Sequence, residues 1–469
     1  MLRDQWDQLD DRIKIHQNEV LRALQEILQS ATCTFDELFG QPQHNSKWEK
    51  VVAKMADVSK LRYAAYAKKS LAEIVTRLDK WHRLFDPFWY LLSRLSTPTA
   101  HQRLVDNSDG GNEAISTVLG LREAHSANGT SSSESPSTSV FLGADYQIQN
   151  AEAIPLAPAY FALNADGNPV IVDYYHVREK SSAKVAKKDV RDLARILSKV
   201  DPAFSSLLPC EGVLQTGDRQ FNMIFKIPPA LRNTSPSSLR SLLLQETAVY
   251  PLNERVQLAI SLARSVVFLH ASRIVHKNIS PENIIVLQSD TGTIGTPFLV
   301  GFERFRFDER RTNMSGDDLW EKNLYRHPQR QGLNPEEIYS MRHDIYSVGV
   351  CLLEIGLWRS FVRYSDDQKV TSPASDLPRT LATATKYKRE TATRIKRRFV
   401  ELAQMHLPRS MGRIYADTVV ACLTCLDYES PLFQDSSELE DEDGILVGVR
   451  YIEKVRQSVL RSYTIADLK

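Results

Sequence analysis

The sequence predicts an α+β fold of two lobes, a small β-rich N-terminal lobe and a helical C-terminal lobe, preceded by an N-terminal α-helical bundle. Three observations predict it. Apolar residues recur at helical spacing through residues 1–95, strand-like runs fill about residues 140–230, and long helical patterns follow over about residues 231–469. Residues 96–139 separate the bundle from the two-lobed domain, residues 140–469. With 469 residues, 42% of them hydrophobic, the chain is long enough for both parts to bury a core.

Three or four amphipathic helices predict the N-terminal bundle. One apolar stripe runs through Asp10–Gln29, a second starts near Trp48, and a third extends over Leu71–Phe85. Asp86-Pro87 ends or kinks the third helix, because proline disfavours the helical conformation in the residue before it. Helices with such stripes bury them against one another, so a small bundle is expected.

The segment between the two parts differs in composition from both. Residues 125–139 are dominated by serine, with few apolar side chains. Such a stretch cannot bury enough apolar surface to offset the entropy lost on ordering it. We therefore expect residues 96–139 to act as a flexible, Ser-rich tether.

Alternating apolar runs predict the strands of the N-terminal lobe. Asp166-Gly167 lies between the first two runs and is a favourable hairpin turn. A helix with one apolar side is expected over Lys184–Val200, and Pro228-Pro229 is expected to form the hinge between the lobes. The predicted strands are Ala159–Leu163, Pro169–Tyr175, Glu211–Thr216 and Phe221–Ile227.

The most specific motif is the segment His276-Lys-Asn-Ile-Ser-Pro-Glu-Asn283, which follows a helical pattern and precedes a short apolar run. In this context it resembles the catalytic loop of protein kinases, H-R-D-L-x-x-x-N. His276 and Asn283 match the pattern, and Lys277 replaces its Arg. Ser280 stands in the place of the Lys that steadies the transferred phosphate in the family. The resemblance implies that His276 packs inside the lobe as a scaffold.

Two later segments extend the resemblance to protein kinases. Tyr325-Arg-His-Pro328 resembles the segment that closes a kinase activation region, and Asp344-Ile-Tyr-Ser-Val-Gly349 resembles the D-x-W-S-x-G helix start. In the family this aspartate caps the backbone of the catalytic loop, so the resemblance implies an architectural role for Asp344. It covers about residues 140–463 and implies a bilobal kinase fold there.

The side chains that carry phosphoryl transfer in the family are missing. Asn278 replaces the Asp that accepts the substrate proton, and an amide is no general base near neutral pH. Gly301-Phe302-Glu303 stands where D-F-G belongs, so Gly301 provides no carboxylate for Mg²⁺. Glu303 lies too late in the chain to inherit that role. Asn283 remains a metal ligand only if the protein is active.

The nucleotide-binding elements are missing as well. Neither G-x-G-x-x-G nor V-A-I-K occurs in the predicted N-terminal lobe. In Val170-Ile-Val-Asp-Tyr-Tyr175 the place of the phosphate-pairing Lys falls on Asp173 or a neighbouring Tyr, and a carboxylate there repels ATP phosphates. The predicted helix Lys184–Val200 contains no Glu to pair with such a Lys. We therefore assign no catalytic, cofactor-binding or metal-binding residues; Asp173, Gly301 and Glu303 are degenerate positions of the nucleotide site.

The stretch Lys60-Leu-Arg-Tyr-Ala-Ala-Tyr-Ala-Lys-Lys69 and the Leu-spaced helix after it resemble the later helices of fungal HeLo-type (prion-inhibition-and-propagation) domains. The resemblance implies a role in incompatibility or cell-death signalling, with contact to membranes through a leading apolar segment. Here the chain starts with the charged sequence Met1-Leu-Arg-Asp-Gln-Trp6, so truncation of that domain stays open. An ordinary docking bundle is the alternative.

Composition excludes several classes of function. The net charge is +1, from 59 basic and 58 acidic residues, which gives no general attraction to nucleic acid or anionic membranes. No run approaches the ~18 apolar residues of a membrane span, and the start lacks the apolar centre of a signal peptide. The 5 cysteines are irregularly spaced, as expected in a reducing compartment, so we predict a cytoplasmic location. Peripheral membrane contact through the bundle stays open.

Two local patterns have a functional and a structural interpretation. The basic run over residues 386–398 predicts a solvated helix face, with nuclear import or an anionic-surface patch as alternatives. Cys422 and Cys425 have redox spacing but lie in an apolar helical pattern, so we expect them in the core.

Three functions follow from these residues. The first is a pseudokinase, a kinase-fold signalling and interaction module with protein partners and no phosphotransfer, in fungal self-recognition or cell death. The second is an atypical active Ser/Thr kinase that uses Asn283 with displaced acids such as Asp173, Glu303 or Asp308. The third is a ligand-free scaffold whose old cleft is filled by side chains. Binding of ATP without Mg²⁺ remains open in the first.

Overall fold

The computed structural model describes residues 22, 25–30, 32, 139–143, 145–176, 183–245, 250–288, 292–307, 319–333, 335–365, 367–381 and 389–427. The chain divides into two compact units, Met1–Val118 and Leu119–Lys469. In the first unit residues 25–30 are helical and Ile27 is buried, which agrees with the first predicted helix. The rest of the predicted bundle, including Lys60–Lys69, and the predicted tether before Ser139 lie outside the described residues.

Five antiparallel strands form the sheet of the N-terminal lobe, in the order β1-β2-β3-β5-β4. They are β1 (Gln149–Ala153), β2 (Ala159–Leu163), β3 (Pro169–His176), β4 (Cys210–Gly217) and β5 (Gln220–Lys226). The four predicted strands are confirmed to within one residue at each end. The sequence does not predict β1, because all of its side chains are exposed and none is large and apolar.

The predicted turn between β2 and β3 is confirmed, and Asn164 closes it. The Asn164 Oδ1 atom accepts hydrogen bonds from the backbone N–H groups of Asp166, at 3.1 Å, and Asn168, at 2.9 Å. Gly167 has φ +75°, a left-handed conformation that glycine adopts without steric cost. The turn thus fixes the register in which β3 presents Asp173.

The helix α1 (Ala183–Leu197) packs its apolar side against β4. Val190, Leu193, Ile196 and Leu197 are fully buried on that side. The helix agrees with the predicted span Lys184–Val200. Its sequence follows the period of 3.6 residues that places such side chains on one face.

The segment before β1 covers the outer face of the sheet. The Leu142 N–H group donates to the Val213 carbonyl at 3.0 Å, and the Val213 N–H group donates to the Val140 carbonyl at 2.9 Å. Leu142, Tyr146 and Ile148 pack on the buried cluster of the sheet. A Cβ atom at Gly212 would lie 2.6 Å from the Leu142 side chain, so only glycine permits this approach.

Seven helices follow in the described part of the chain: α2 (Pro202–Ser205), α3 (Leu239–Leu243), α4 (Leu252–Ala271), α5 (Trp320–Asn323), α6 (Met341–Leu357), α7 (Arg389–Ser410) and α8 (Arg413–Leu423). Helix α6 is the centre of the C-terminal lobe and contacts α4, α7 and α8. Cys422 and Cys425 are buried there, which confirms their predicted core position. None of the helices in the described ranges combines the length and apolar character that crossing a membrane requires.

Short strands hold the loops that carry the candidate site. Strands β6 (Ser235–Ser238), β8 (Ile284–Gln288) and β9 (Thr296–Leu299) form one antiparallel ladder in the order β6-β8-β9. Strand β7 (Ile274–Val275) pairs with β10 (Arg306–Phe307), and β11 (Val362–Tyr364) pairs with β12 (Val370–Pro373). Because β7 and β8 flank residues 276–283, and β9 and β10 flank residues 300–305, the ladders bring these two loops together.

The basic run differs in part from the predicted solvated face. Its described residues, 389–398, lie in α7, and Lys396 is only 8% exposed. The Lys396 ammonium donates to His327 Nε2 at 3.1 Å and pairs with the Asp427 carboxylate. Helix spacing places Lys396 beside Ile395 on the buried side of α7. Arg397, the next residue, lies on the exposed side.

Candidate functional site

The loop that resembles a catalytic loop leaves β7 and enters β8 through the 3-10 turn Pro281–Asn283. Its backbone is held from below by Asp344, near the start of α6. The Asp344 carboxylate accepts hydrogen bonds from the N–H groups of His276, at 2.7 Å, and Lys277, at 2.8 Å. Lys277 has φ +64°, an uncommon conformation for a non-glycine residue that this anchoring over-determines.

Two side chains complete the hydrogen bonding of Asp344. Tyr339 donates its hydroxyl at 2.9 Å, and His270 Nε2 lies 3.1 Å away. Burial opposes ionisation of this carboxyl, but the hydrogen bonds from the His270 side chain and the His276 backbone help to outweigh burial and lower its pKa below the ordinary value. Asp344 is therefore an ionised, fully buried anchor with four donors.

His276 lies inside the lobe, with no exposed surface. Its Nε2 atom is 3.1 Å from the Val300 carbonyl oxygen, and its ring lies 4.9 Å from the Phe302 ring centroid. Burial lowers the pKa of His276 to about 4, although Asp344 and the Val300 carbonyl raise it. The ring is therefore neutral near pH 7, with its Nε2–H group donating to Val300.

Asn278 and Asn283 both donate side-chain hydrogen bonds to backbone carbonyl groups. The Asn278 side chain donates to the Gly301 carbonyl at 3.2 Å. The Asn283 side chain donates to the Asn278 carbonyl at 2.6 Å and lies 3.2 Å from the Ser280 hydroxyl. Within the described part of the chain, the buried Asn283 Oδ1 atom has no hydrogen-bond partner.

The sequence predicts that Gly301 stands where protein kinases carry their metal-binding aspartate. Its φ of +83° is a conformation that side chains other than glycine rarely adopt. A Cβ atom there would lie 2.5 Å from Asn283 Cγ and closer still to Oδ1. A carboxylate at position 301 and the present Asn283 side chain thus exclude one another. The residues do not form the Asp and Asn pair that would hold Mg²⁺ with a nucleotide.

Asp173, on β3, reaches the same backbone from the N-terminal lobe. One of its carboxylate oxygens accepts hydrogen bonds from the N–H groups of Gly301, at 2.9 Å, and Phe302, at 3.0 Å. The residue is 2% exposed. Burial raises the pKa of Asp173 to about 7, against the lowering effect of these hydrogen bonds. The carboxylate of Asp173, which the sequence predicts at or next to the place of the phosphate-pairing lysine, therefore binds protein backbone.

Aromatic rings reinforce the contact between the sheet and the turn Phe302–Arg304. The Phe225 ring lies 6.0 Å from the Phe302 ring, and the Tyr175 ring lies 5.9 Å from the Phe305 ring. These distances are typical of favourable aromatic pairs. The turn is thus held by one carboxylate and two ring contacts from the N-terminal lobe.

The turn between β1 and β2 occupies the position of the glycine-rich loop, and it is tied to the C-terminal lobe. The Pro155 carbonyl accepts hydrogen bonds from the hydroxyls of Ser238, at 2.8 Å, and Ser241, at 3.0 Å. The Leu156 N–H group donates to Gln368 Oε1 at 3.3 Å. These contacts fix the turn at Pro155 and Leu156, and they use the Leu156 N–H group within the protein.

A cavity of about 420 Å³ lies below this turn. Its other walls are formed by the loop of residues 276–283, by α5 and by the β11–β12 hairpin. Asn278 and Asn283 line it, together with charged side chains of both signs. The charged lining includes Glu282, Glu303, Glu321, Lys277 and Lys322. Apolar side chains such as Ile154, Leu156 and Val370 line the cavity as well, so its walls are mixed in character.

A buried arginine cluster lies beside the cavity. Arg240, at the start of α3, is fully buried and donates to Glu282 at 2.9 Å, to Glu354 at 2.8 Å and to the Ser360 hydroxyl at 2.7 Å. Its guanidinium also contacts the Tyr325 hydroxyl. Burial opposes its charge, but the two carboxylates outweigh burial and hold the pKa of Arg240 well above its ordinary value.

The structure brings most of the predicted positions together. Asp173, Asn278, Asn283 and Gly301 meet through direct hydrogen bonds or close approach, and Glu303 lines the adjoining cavity. Sequence reasoning missed the Arg240 cluster and the tied β1–β2 turn. An arginine in a helix is ordinarily exposed, so local pattern contains no signal for its burial. Among the described residues, no group of three or more His, Cys, Asp and Glu side chains is placed to hold a metal ion.

The two-lobed fold and the degenerate loop define a protein kinase-like class. Residues 168–360 match the family described as "Protein tyrosine and serine/threonine kinase". This part of the chain, from β3 to the end of α6, is thus a protein kinase-like domain. The chain is also similar to the U-box domain-containing protein 52 of Arabidopsis thaliana, with 28% identity over 127 residues that cover 25% of this chain and 14% of that protein. The chain therefore spans a small part of that relative's length.

Proposed function

We propose that the kinase-like domain is a pseudokinase, a signalling and interaction module without phosphotransfer. The observation that carries this proposal is the contact of Asp173 with the backbone of Gly301 and Phe302. In the family a lysine and an aspartate at these two places face the phosphates and their Mg²⁺. Here a carboxylate replaces the lysine and a glycine replaces the carboxylate, so the charge that attracts the phosphates is reversed and the charge that attracts the metal is missing.

The lost groups are the main contributors to phosphoryl transfer. General base catalysis contributes about 10² to 10⁴ in rate, and Asn278 cannot supply it. Electrostatic stabilisation of the transferred group is usually larger, and it depends on the missing lysine and metal. Glu303 lines the cavity with Asn283, which is the one observation that favours an atypical active kinase as the second candidate.

Burial at the old nucleotide cleft favours a ligand-free version of the proposal. Ile171 stands where V-A-I-K has its small alanine, two positions before Asp173 and thus on the same face of β3. Ile171, Ala159 of β2 and Ile285 of β8 each have 0% exposure. These three buried side chains support the scaffold function, which is the form of pseudokinase that we propose.

The wider role is inferred from the sequence resemblance. We propose that residues 1–95 form a HeLo-like helical bundle of the fungal type, and that the kinase-like domain holds or releases it in self-recognition or cell-death signalling. Its partners are then proteins, not nucleic acids. A cytoplasmic location fits the 4 cysteines of the described residues, which are all free and buried.

The deciding experiment is thermal unfolding of the full chain with ATP, with and without Mg²⁺, alongside a phosphate-transfer assay on the same samples. A ligand at about a hundred times its dissociation constant adds about 2.7 kcal/mol of stability. We expect neither a shift in unfolding nor transfer. The Asn283→Ala variant is the matched control for metal use.

The possible outcomes separate the candidates. Metal-dependent transfer that disappears in Asn283→Ala would overturn the pseudokinase proposal and establish the atypical kinase. A stability shift with ATP alone, without transfer, would retain the pseudokinase and reject its ligand-free form. An active protein kinase measured in parallel shows that the assay detects transfer.

A further inference from the structure

The contact between Asp173 and the turn Phe302–Arg304 uses only one of the two carboxylate oxygens of Asp173. One carboxylate oxygen accepts two backbone N–H groups, from Gly301 and Phe302. The other oxygen, Oδ1, is buried and has no hydrogen-bond partner within the described residues. A carboxylate with one unpartnered buried oxygen is costly when ionised.

Among the described residues, Asp173 forms no ion pair with a positively charged side chain. The adjacent strands place Ala159 and Met223 opposite it in the sheet, and neither can ionise. The turn presents Glu303, whose negative charge acts on Asp173 from the same side. Glu303 itself pairs with Arg304 at 3.2 Å.

The remaining titratable groups near the contact are neutral around pH 7. The Tyr175 hydroxyl, on the same strand, has its pKa raised to about 12 by burial and by Glu303. His276, which contacts the Phe302 ring, has its pKa lowered to about 4 by burial. Asp173 is thus the group in this contact whose charge changes close to neutral pH.

We propose that Asp173 is a proton-operated latch, which closes the turn Phe302–Arg304 onto the N-terminal lobe when its carboxyl is protonated and loosens it when the carboxyl is ionised. The protonated acid still accepts the N–H groups of Gly301 and Phe302 through its carbonyl oxygen. The ionised acid gains stronger hydrogen bonds, but it leaves a buried charge beside Glu303. This inference does not depend on the absence of phosphotransfer.

The direction of the pH effect follows from linkage. Burial, and then Glu303, raise the pKa of Asp173 to about 7 in the closed state. An aspartate exposed by opening has a pKa of about 3.9. A group whose pKa is raised in the closed state stabilises that state fully below the open-state pKa, and the stabilisation is lost as pH rises through the closed-state pKa. Closure therefore weakens between about pH 4 and pH 7 and then levels off.

The turn also precedes the segment that a kinase uses as its activation region. Tyr175 and Phe305 lie 5.9 Å apart at the end of the turn, just before β10. Opening of the latch would therefore free the turn Phe302–Arg304 from β3 just ahead of β10. The latch thus couples proton concentration to the start of that segment.

Hydrogen exchange of the full chain tests the latch. The hydrogen-exchange rate of the peptide that covers residues 298–305 is measured in the wild type and in Asp173→Asn, at about pH 6 and about pH 8. At each pH the wild-type rate is divided by the rate of the variant, which cancels the intrinsic effect of pH on exchange. We expect this ratio to rise about tenfold from about pH 6 to about pH 8. The equilibrium constant for opening the turn rises about tenfold per pH unit until Asp173 is ionised in the closed state as well. Asp218→Asn, at an exposed position on the same sheet, is the matched control, and its ratio should not change with pH.

A ratio that is the same at both values would overturn the proposal. If Asp173→Asn does not fold, Glu303→Gln provides the second test in an otherwise wild-type contact. Removing that charge lowers the pKa of Asp173, so the pH at which peptide opening levels off should move down relative to the wild type. An unmoved profile in Glu303→Gln would equally overturn the latch.

Discussion

The Asn283 side chain fills the space in which a side chain at Gly301 would begin. A Cβ atom at Gly301 would lie 2.5 Å from Asn283 Cγ. In an active kinase the corresponding two residues hold metal together. In this protein they have adapted to one another sterically, so restoring one position of the motif does not restore the pair.

Substitution of Gly301 tests this relationship. We expect Gly301→Ala to lower the free energy of unfolding by about 1–3 kcal/mol, because it combines a left-handed conformation with the steric conflict. Chemical denaturation measures the change. Combined with Asn283→Ala, the loss should be smaller than the sum of the two single losses by about 0.5–3 kcal/mol. Strict additivity would show that the two side chains do not compete for space.

Asp344 should be essential for stability. In the wild type the Asp344 carboxylate accepts hydrogen bonds from four donors. In Asp344→Asn one oxygen becomes an NH₂ group, which faces N–H groups and cannot accept from them. We therefore expect a loss of about 3 kcal/mol or more in the free energy of unfolding. Asp417→Asn, exposed on α8, is the control and should change stability by less than about 0.5 kcal/mol.

The pH dependence of Asp344 has the opposite sign to that of Asp173. The pKa of Asp344 is lowered in the folded state, so its stabilisation is present above its unfolded value of about 3.9 and is lost as pH falls below that. Acid unfolding curves of the wild type and Asp344→Asn should therefore converge below about pH 4. Curves that stay parallel would contradict the ionised anchor.

Arg240 should be the most sensitive residue of the buried cluster. Arg240→Met leaves the Glu282 and Glu354 carboxylates without their cation, and breaking a buried pair in this way costs about 3–5 kcal/mol. Denaturant unfolding measures the loss, with Arg232→Met at an exposed position as the control. Adding Glu354→Leu to Arg240→Met should recover part of the loss, since it removes one uncompensated charge. A further loss instead would assign the cost to packing.

Adjacent positions of the basic run should behave differently. Lys396→Met removes a buried ammonium from His327 and Asp427, and we expect a loss of about 1–3 kcal/mol. Arg397→Met changes an exposed neighbour and should remain within about 0.5 kcal/mol. Equal effects in thermal unfolding would indicate that the run acts as one solvated face, as the sequence predicts.

The strands and helices of the two lobes were accessible from local pattern. The hairpin at Asp166-Gly167 and the strands Ala159–Leu163 and Pro169–His176 follow from side-chain alternation and turn chemistry alone. Strand β1 was not accessible, because its exposed residues carry no alternation of large apolar side chains. Its place in the sheet depends on pairing with β2.

The identity of the degenerate positions also came from the sequence. Asn278, Gly301 and Asp173 stand at recognisable offsets from motifs that remain, and their side-chain types led to the prediction that the general base, the metal carboxylate and the phosphate-pairing cation are missing. What these side chains do instead was not predictable. Asp173 and Gly301 are far apart in the chain, and no local rule relates one to the other.

By itself the sequence determined the bilobal α+β class of the kinase-like domain and the order of its elements, because these depend on residue type and on periodicity within short segments. Only the tertiary structure decided that Asp173 caps the backbone of Gly301, that Asn283 fills the space beside it, and that Arg240 is buried between two carboxylates. The reason is physical. Burial and the pairing of charges depend on contacts between segments that are distant in the chain, and those contacts set the pKa, the hydrogen bonding and the space available to each side chain.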